Sequence, residues 1–420
     1  MALLPLVVFL GIYLIGSIIA GDFYKIPITI AGMVASIVAV GMTRRPMAES
    51  VGDYSRGATD HNIMLMIWIF VLAGAFAAST KAMGAVDATV ALTLRVVPEQ
   101  FLPAGIFIAA CFTSISIGTS VGTIVALTPI ASAIATQTGC SAPWLVAIVV
   151  GGALFGDNLS FISDTTIAAT RTQGCSMRDK FRTNVKIVTP AAIITLLIYI
   201  FTQQDAITYS ATDVASPWYT ILPYLLVLIL SAIGTNVLIV LTLGILSSGI
   251  IGLACGQISL LDWFSTMGEG IDSMGQLIII TMMAGGMLEM IRLNGGIDYI
   301  ISRLTSRVNS RRAAEGSIAA LVMFADICTA NNTVAIISVG SIARQIAERF
   351  GISARRTASL LDTFSCCIQG VLPYGAQLLM AAGLASISPV EIIPHLYYPM
   401  IMGGFALIAI ILQWPRYDQK

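Results

Sequence analysis

The chain has 420 residues, of which 57% are hydrophobic and 10% charged, against about 25% charged in soluble domains. With a mean hydropathy of +0.89, that excludes an ordinary soluble enzyme, a disordered protein and a nucleic-acid binder. Lys plus Arg and Asp plus Glu number 22 each, so no net field gathers a polyanion, and the sequence reads as an all-α polytopic membrane protein.

The N-terminal stretch has no basic residue before Lys25, so it reads as an uncleaved first span and not as a signal peptide. A helix needs about 20 apolar residues to cross the hydrocarbon. The clear spans by that measure are 3–20, 26–43, 62–79, 185–201, 218–233, 236–256, 275–291 and 392–413. Between them, 103–138, 143–170, 313–350 and 356–386 are apolar but punctuated by Gly, Asn, Asp and Pro.

Short loops rich in Lys and Arg mark the cytoplasmic side. The loop 44–61 carries Arg44, Arg45 and Arg56, and the loop 171–186 carries Arg171, Arg178, Lys180, Arg182 and Lys186. Arg303, Arg307, Arg311 and Arg312 mark another cytoplasmic stretch, as do Arg344, Arg349, Arg355 and Arg356. The loops 202–217 and 257–273 hold neither Lys nor Arg. Both termini then lie in the cytoplasm, with Arg416 and Lys420 at the tail. Parity requires 103–138 and 313–350 each to return to the side they entered from, as re-entrant hairpins or as paired spans. The stretches 143–170 and 356–386 each cross once. At ~1.5 Å per residue both exceed a ~30 Å core, which suits a helix broken in its middle.

The two halves resemble each other. Residues 73–87 align with 284–298 at a spacing of 211, matching Gly74 to Gly285, Gly84 to Gly295 and Asp87 to Asp298. Residues 118–127 meet 330–339 at 212, and Asp157 and Ser160 meet Asp362 and Ser365 at 205. The loop before the first copy is basic, while the one before the second is acidic, with Asp262, Glu269 and Asp272. Equivalent helices therefore enter from opposite sides. Two inverted-topology repeats, each with a hairpin and a discontinuous helix meeting near mid-membrane, are the signature of a secondary transporter. The expected division is 1–201 for the first repeat, 202–217 for an external linker, 218–413 for the second repeat and 414–420 for a cytoplasmic tail.

An ionisable residue in a span costs at least ~2.5–3.5 kcal/mol by insertion scales, so its presence points to function. Asp157, Asp164, Glu289, Asp326 and Asp362 qualify, with Glu289 near enough to a span end to snorkel. The segment GDNLSFISDTT (156–166) concentrates Asp157, Asn158, Ser160, Ser163, Asp164 and Thr165. These oxygens suit a hard cation such as sodium, and Gly156 lets the backbone leave the helix and free its carbonyls. A carboxylate desolvated there can trade a proton for a cation. Thr119, Ser120 and Thr123 in GTSVGT face Asn331, Asn332 and Thr333 in TANNTV across the implied pseudo-two-fold. In the second half Asp362, Ser365 and Gln369 are the expected counterparts of Asp157, Ser160 and Asp164. Sodium is expected at Asp157, Asp164, Thr119 and Asn332, the two acids carrying proton and cation.

The seven cysteines lack metal-ligand spacing and there are two histidines, so the cysteines read as buried reduced hydrophobes. Gly118-Thr119-Ser120-Val121-Gly122 fits a hydrolase elbow, but no strand precedes it. Nucleotide and metalloprotease motifs are absent, so neither a cofactor nor enzymatic activity is expected.

In GTSVGT (118–123) and GDNLSFISDTT (156–166), and more weakly in ADICTANNTVAI (325–336) and RRTASLLDTF (355–364), the chain resembles the NhaC family of sodium/proton antiporters, within the ion-transporter superfamily. The likeness spans most of 60–400. It implies inverted repeats around a central site, with Asp157, Ser160, Ser163, Asp164, Thr165 and Thr166 matching the core motif. Asn158 departs from the Lys usual after Asp, Phe161 from the usual Pro, and Val121 from an aromatic. The implied function is exchange of sodium for protons across the cytoplasmic membrane by alternating access. The alternative is sodium- or proton-coupled transport of a small organic acid or amino acid, as in malate/lactate-type relatives. The expected partners are Na+ and H+ or that organic substrate, the bilayer, no nucleic acid, and a second copy in a homodimer.

Overall fold

Alternating runs of apolar residues and left-handed or extended breaks give an all-helical chain. The computed structural model describes residues 2–16, 27–43, 45–86, 88, 89, 92, 98–161, 163–202, 217–233, 235–296, 299 and 308–415. In the first half run α1 (Leu4–Leu10), α2 (Ile28–Gly41), α3 (Met47–Ala58), α4 (His61–Ala82), α5 (Leu102–Ile117), α6 (Ser120–Thr138), α7 (Ala142–Leu159), α8 (Asp164–Gln173) and α9 (Met177–Phe201). In the second half run α10 (Leu222–Ala232), α11 (Val237–Ala254), α12 (Leu260–Ser273), α13 (Gly275–Leu293), α14 (Arg311–Thr329), α15 (Asn332–Arg349), α16 (Ala354–Gln369), α17 (Ala376–Ala385), α18 (Pro389–Ile392) and α19 (Tyr397–Ile411). Arg44, Asp87, Asp298, Arg303, Arg307, Arg416, Lys420 and most of 202–217 lie outside the described residues.

Among the described residues six helices are long and apolar enough to cross a membrane, or seven if Ala376–Ala385 and Pro389–His395, bent by 101°, form one span. Large apolar side chains stay exposed around the outside, among them Ile37, Trp68, Phe112, Phe201, Ile250 and Ile411. In lipid that exposure carries no penalty, so the chain is a multi-pass membrane protein.

The repeat is visible in backbone conformation. Gly118 and Ala330, 212 apart, both end a helix in the left-handed region, and Thr119 and Asn331 follow in extended conformation at φ −149°. Ser141 and Ser353 start α7 and α16, again 212 apart. The short helices α8 and α17 are 10 residues each, starting at Asp164 and Ala376 and ending on left-handed Gly174 and Ser386. Gly84 and Gly295, 211 apart, are both left-handed as well. The register therefore holds at 211–212 from α4 onward, and the spacing of 205 between Asp157 and Asp362 is a chance match. Asp157 stands opposite Gln369, Asp164 opposite Ala376, and Asp362 opposite Val150.

Two stretches expected to be loops are helices. In 257–273 the row Trp263, Met267 and Ile271 packs toward the core at i, i+4 spacing, and Ser259 accepts the Asp262 N–H as N-cap. In 44–61, α3 buries Ser50, Asp53, Gly57 and Ala58 along one face. Charge alone marked both as loops, whereas each buries one face at helical spacing. They cross over between halves: α3 packs on α13, and α12 packs on α4. Gly57 meets the Gly285 backbone, and Gly74 meets the Gly270 backbone, so closely that neither glycine has room for a Cβ. Gly74 and Gly285 are repeat mates, so one crossing is made twice.

Inside this frame, α5 and α6 pack on α7, and α14 and α15 pack on α16. Each short helix is seated on the other half's hairpin, α8 on α15 and α17 on α6. The breaks of both discontinuous helices consequently converge.

Candidate ion-exchange site

The first break runs from Ser160 to Ser163, both in extended conformation at ψ 139° and 137°. Two extended residues stop α7 and point the following N–H and C=O groups away from the helix axis. Asp157 lies in the last turn of α7 and is buried. Its Oδ1 accepts a hydrogen bond from Ser163 Oγ at 2.6 Å, and its Oδ2 from Ser120 Oγ at 2.8 Å. Ser163 Oγ also lies 2.9 Å from Thr165 Oγ1. One carboxylate before the break thus gathers a hydroxyl from the hairpin and one from beyond the break.

The chain of contacts continues into the second half. Gln377 Nε2 donates to Ser120 Oγ at 3.0 Å, and Gln369 Nε2 donates to Gln377 Oε1 at 2.8 Å and to the Ala330 carbonyl at 3.2 Å. Ala330 is a non-glycine residue at φ 48°, a conformation that costs roughly 1–2 kcal/mol and persists where surroundings impose it. The amide of Gln369 therefore clamps a strained hairpin tip, and the polar chain joins both tips to Asp157.

Beside this cluster lies a buried ion pair. Lys180 Nζ is 2.5 Å from Asp362 Oδ2, with side-chain exposures of 1% and 0%. The same ammonium donates to the Asn158 carbonyl at the end of α7 and to Thr166 Oγ1 at 2.7 Å. Asn184, one turn further along α9, donates to Asp362 Oδ2 at 3.0 Å and Asn158 Oδ1 at 2.7 Å. Carboxylate, carbonyl and hydroxyl are the oxygens a hard cation takes, and here a tethered ammonium holds them.

These residues are a helical-hairpin and broken-helix constellation, and the Na+/H+ antiporter family matches residues 57–204 and 205–414. The chain belongs to that family. It is 23% identical over 94% of its length to the Na+/H+ antiporter NhaC of Bacillus subtilis, covering 96% of that protein. It is 24% identical over 79% of its length to the NhaC of Alkalihalophilus pseudofirmus, covering 78%. Similarity also extends to the malate-2H+/Na+-lactate antiporter of B. subtilis, 22% identical over 97% of this chain and 94% of that one.

Against this antiporter framework, the expected site residues fall into three groups. Asp157, Ser120, Ser163 and Thr165 come together, with Asn158 and Asp362 next to them around Lys180. A second set is near but spent on backbone: Thr123 donates to the Thr119 carbonyl, Ser365 to the Asp362 carbonyl, and Ser160 to the Ile115 carbonyl. Asn331 caps α15 by accepting the Val334 N–H, and Asn332 Oδ1 accepts the Thr333 N–H. Thr119 and Thr333 are half-buried, and Asp164 is exposed in the first turn of α8.

Three residues of the site escaped sequence reading. Lys180 counts toward the cytoplasmic charge of 171–186, yet it belongs to α9, which starts at Met177, and it is buried. Asn184 sits four residues on, so the pair faces one side of a helix. Gln377 is an amide within an otherwise apolar run and was visible as such. Arg356, counted with Arg344, Arg349 and Arg355 as a cytoplasmic charge, is likewise buried, against Glu315 at 2.8 Å.

A cavity of about 400 Å³ opens beside the second hairpin. Arg56, Asp60, Glu289 and Arg292 line it, and Thr329, Ala330, Asn331 and Tyr374 line it at the hairpin tip. The Ala330 carbonyl that Gln369 clamps thus belongs to residues that border open space.

Proposed function

We propose that this antiporter exchanges sodium for protons at Asp157, by alternating access in the cytoplasmic membrane. The observation that carries the reading is a buried carboxylate held by Ser120 and Ser163 at a helix break where both halves meet. Sodium takes the oxygens of Asp157, Ser120, Ser163 and Thr165, and a proton takes Asp157 alone, so the two compete for one group. Lys180 neutralises Asp362, leaving Asp157 as the group that changes occupancy. Asp164, exposed in the first turn of α8, draws cations toward the break, and Thr119 and Asn332 add oxygens as the hairpin tips close.

The exposed basic residues Arg45, Arg171, Arg312 and Arg349 support a reading in which these loops and both termini face the cytoplasm, and a homodimer is the expected assembly. In inverted vesicles, sodium added to the medium collapses a preset pH gradient, and potassium does not. Absence of any sodium- or lithium-dependent signal would remove the reading.

A second reading, coupled movement of a small organic acid, draws on the cavity, whose volume falls within the ~300–1,000 Å³ of small-molecule sites. Against it, Lys180 is already committed to Asp362. Thermal stabilisation by malate or lactate, with and without sodium, tests it; a substrate at a hundred times its Kd stabilises by about 2.7 kcal/mol.

A further inference from the structure

Asp326 lies in α14, one turn before the hairpin tip, and is 0% exposed. Neither carboxyl oxygen has a hydrogen-bond partner among the described residues. Its backbone carbonyl accepts the Ala330 N–H, and Tyr374 Oη donates to the carbonyl of the adjacent Ile327 at 2.7 Å. Ala330 and Tyr374 both line the cavity, so Asp326 is one helical turn along α14 from its lining.

The helices packed on α14 are α13, α15, α16 and α19. Of their charges, Glu289 pairs with Arg292, Arg344 with Glu348, Arg356 with Glu315 of α14, and Asp362 with Lys180. Arg349 ends α15, over the Phe350 ring, and Arg355 lies in the first turn of α16, beside the Arg356 that meets Glu315. Tyr374 lies near both Asp326 and Cys328, and neither Tyr374 nor Cys328 is a cation. An ionised carboxylate buried without a partner is prohibitively unfavourable, so the group carries a proton in this conformation.

Packing does not call for an acid there. The repeat mate, 212 residues earlier, is Ser114, a hydroxyl that donates to the Ala153 carbonyl at 2.5 Å. The other pair of mates is Asp157 and Gln369. The first half therefore carries a buried acid without an ion-pair partner on the broken helix, the second carries one on the hairpin, and each mate is neutral.

We propose that Asp326 is a second ion-carrying group that takes a proton and not sodium, so that more than one proton moves for each sodium. This rests on the exchange reading given above. A hard cation needs several oxygen ligands; Asp157 is held by the hydroxyls of Ser120 and Ser163, whereas no hydroxyl among the described residues donates to Asp326. A proton needs only the carboxyl. In one cycle Asp157 and Asp326 cross with one proton each and release both, Asp157 then takes sodium, and the site returns with sodium on Asp157 and Asp326 ionised. Two protons pass against one sodium, and one net charge crosses.

The test is exchange in proteoliposomes under an imposed membrane potential, for wild type, Asp326→Asn and Asp326→Ser, the last being the residue of the other half. Wild type is expected to be driven by the potential, with a reversal point set by about two protons per sodium. Both variants are expected to exchange about one for one, without response to potential, and with an unchanged half-saturating sodium concentration. Infrared spectra of wild type should show a protonated buried carboxyl that Asp326→Asn removes. An electroneutral wild type, or variants that keep the wild-type potential response, would overturn the proposal while leaving sodium/proton exchange intact. Wild type without sodium-dependent proton flux would instead overturn the exchange reading itself.

Discussion

The ammonium of Lys180 lies 2.5 Å from Asp362 Oδ2, and neither side chain reaches water. Removing one partner of such a pair strands the other, at a cost of about 3–5 kcal/mol. Lys180→Met should therefore lower thermal stability in detergent strongly. The double variant Lys180→Met with Asp362→Leu should recover part of the loss, because no charge is left uncompensated. Equal melting temperatures for wild type and Lys180→Met would mean that the pair is absent from the resting protein.

Asp157→Asn keeps the shape of the side chain and an oxygen able to accept from Ser120 or Ser163. The stability change should stay within about 1–2 kcal/mol, while sodium-driven proton flux is lost. In wild type, raising sodium should move the apparent pH optimum toward acid, because sodium holds the carboxylate free of its proton to lower pH. Normal flux in Asp157→Asn would transfer the exchange to another group.

Asp164 is exposed and accepts no side-chain bond from the Asp157 cluster. Its substitution by Asn should raise the half-saturating sodium concentration several-fold and leave the maximal rate nearly unchanged. The rise should shrink at high ionic strength, since attraction between exposed charges is screened beyond about 10 Å at 0.1 M salt. Complete loss of flux would show that Asp164 holds the ion directly.

Gly74 and Gly268 offer a matched pair of substitutions in the crossing between α4 and α12. A Cβ at Gly74 would strike the Gly270 backbone, while Gly268 faces open space. Gly74→Ala should destabilise by at least ~1–3 kcal/mol. Gly268→Ala should be neutral or stabilising by up to ~1 kcal/mol, through helix propensity. Similar melting shifts for both would mean that the helices do not meet there.

The hairpins and breaks were legible because their punctuation is local. Gly118-Thr119 and Asn331 interrupt apolar runs, and the left-handed and extended conformations follow at those positions. The cluster around Asp157 was legible for the same reason, since Asp157, Ser163 and Thr165 share one short segment. Lys180 was not, because a basic residue three positions into a helix reads as a loop charge until α9 is seen packed against the break. The register of the second half misled as well. Asp362 looks like the mate of Asp157 by type, and only the shared backbone conformations at Thr119 and Asn331 fix Gln369 in that place.

Because α8 rests on α15 and α17 rests on α6, neither half can complete its own core. Residues up to 202 would leave the seat of α17 bare, and those from 217 onward the seat of α8. During synthesis the first half must wait in the membrane with the Asp157 break uncovered until the second half is inserted. A chain severed in 203–216 should therefore work only when both pieces are made together, each serving as the other's template.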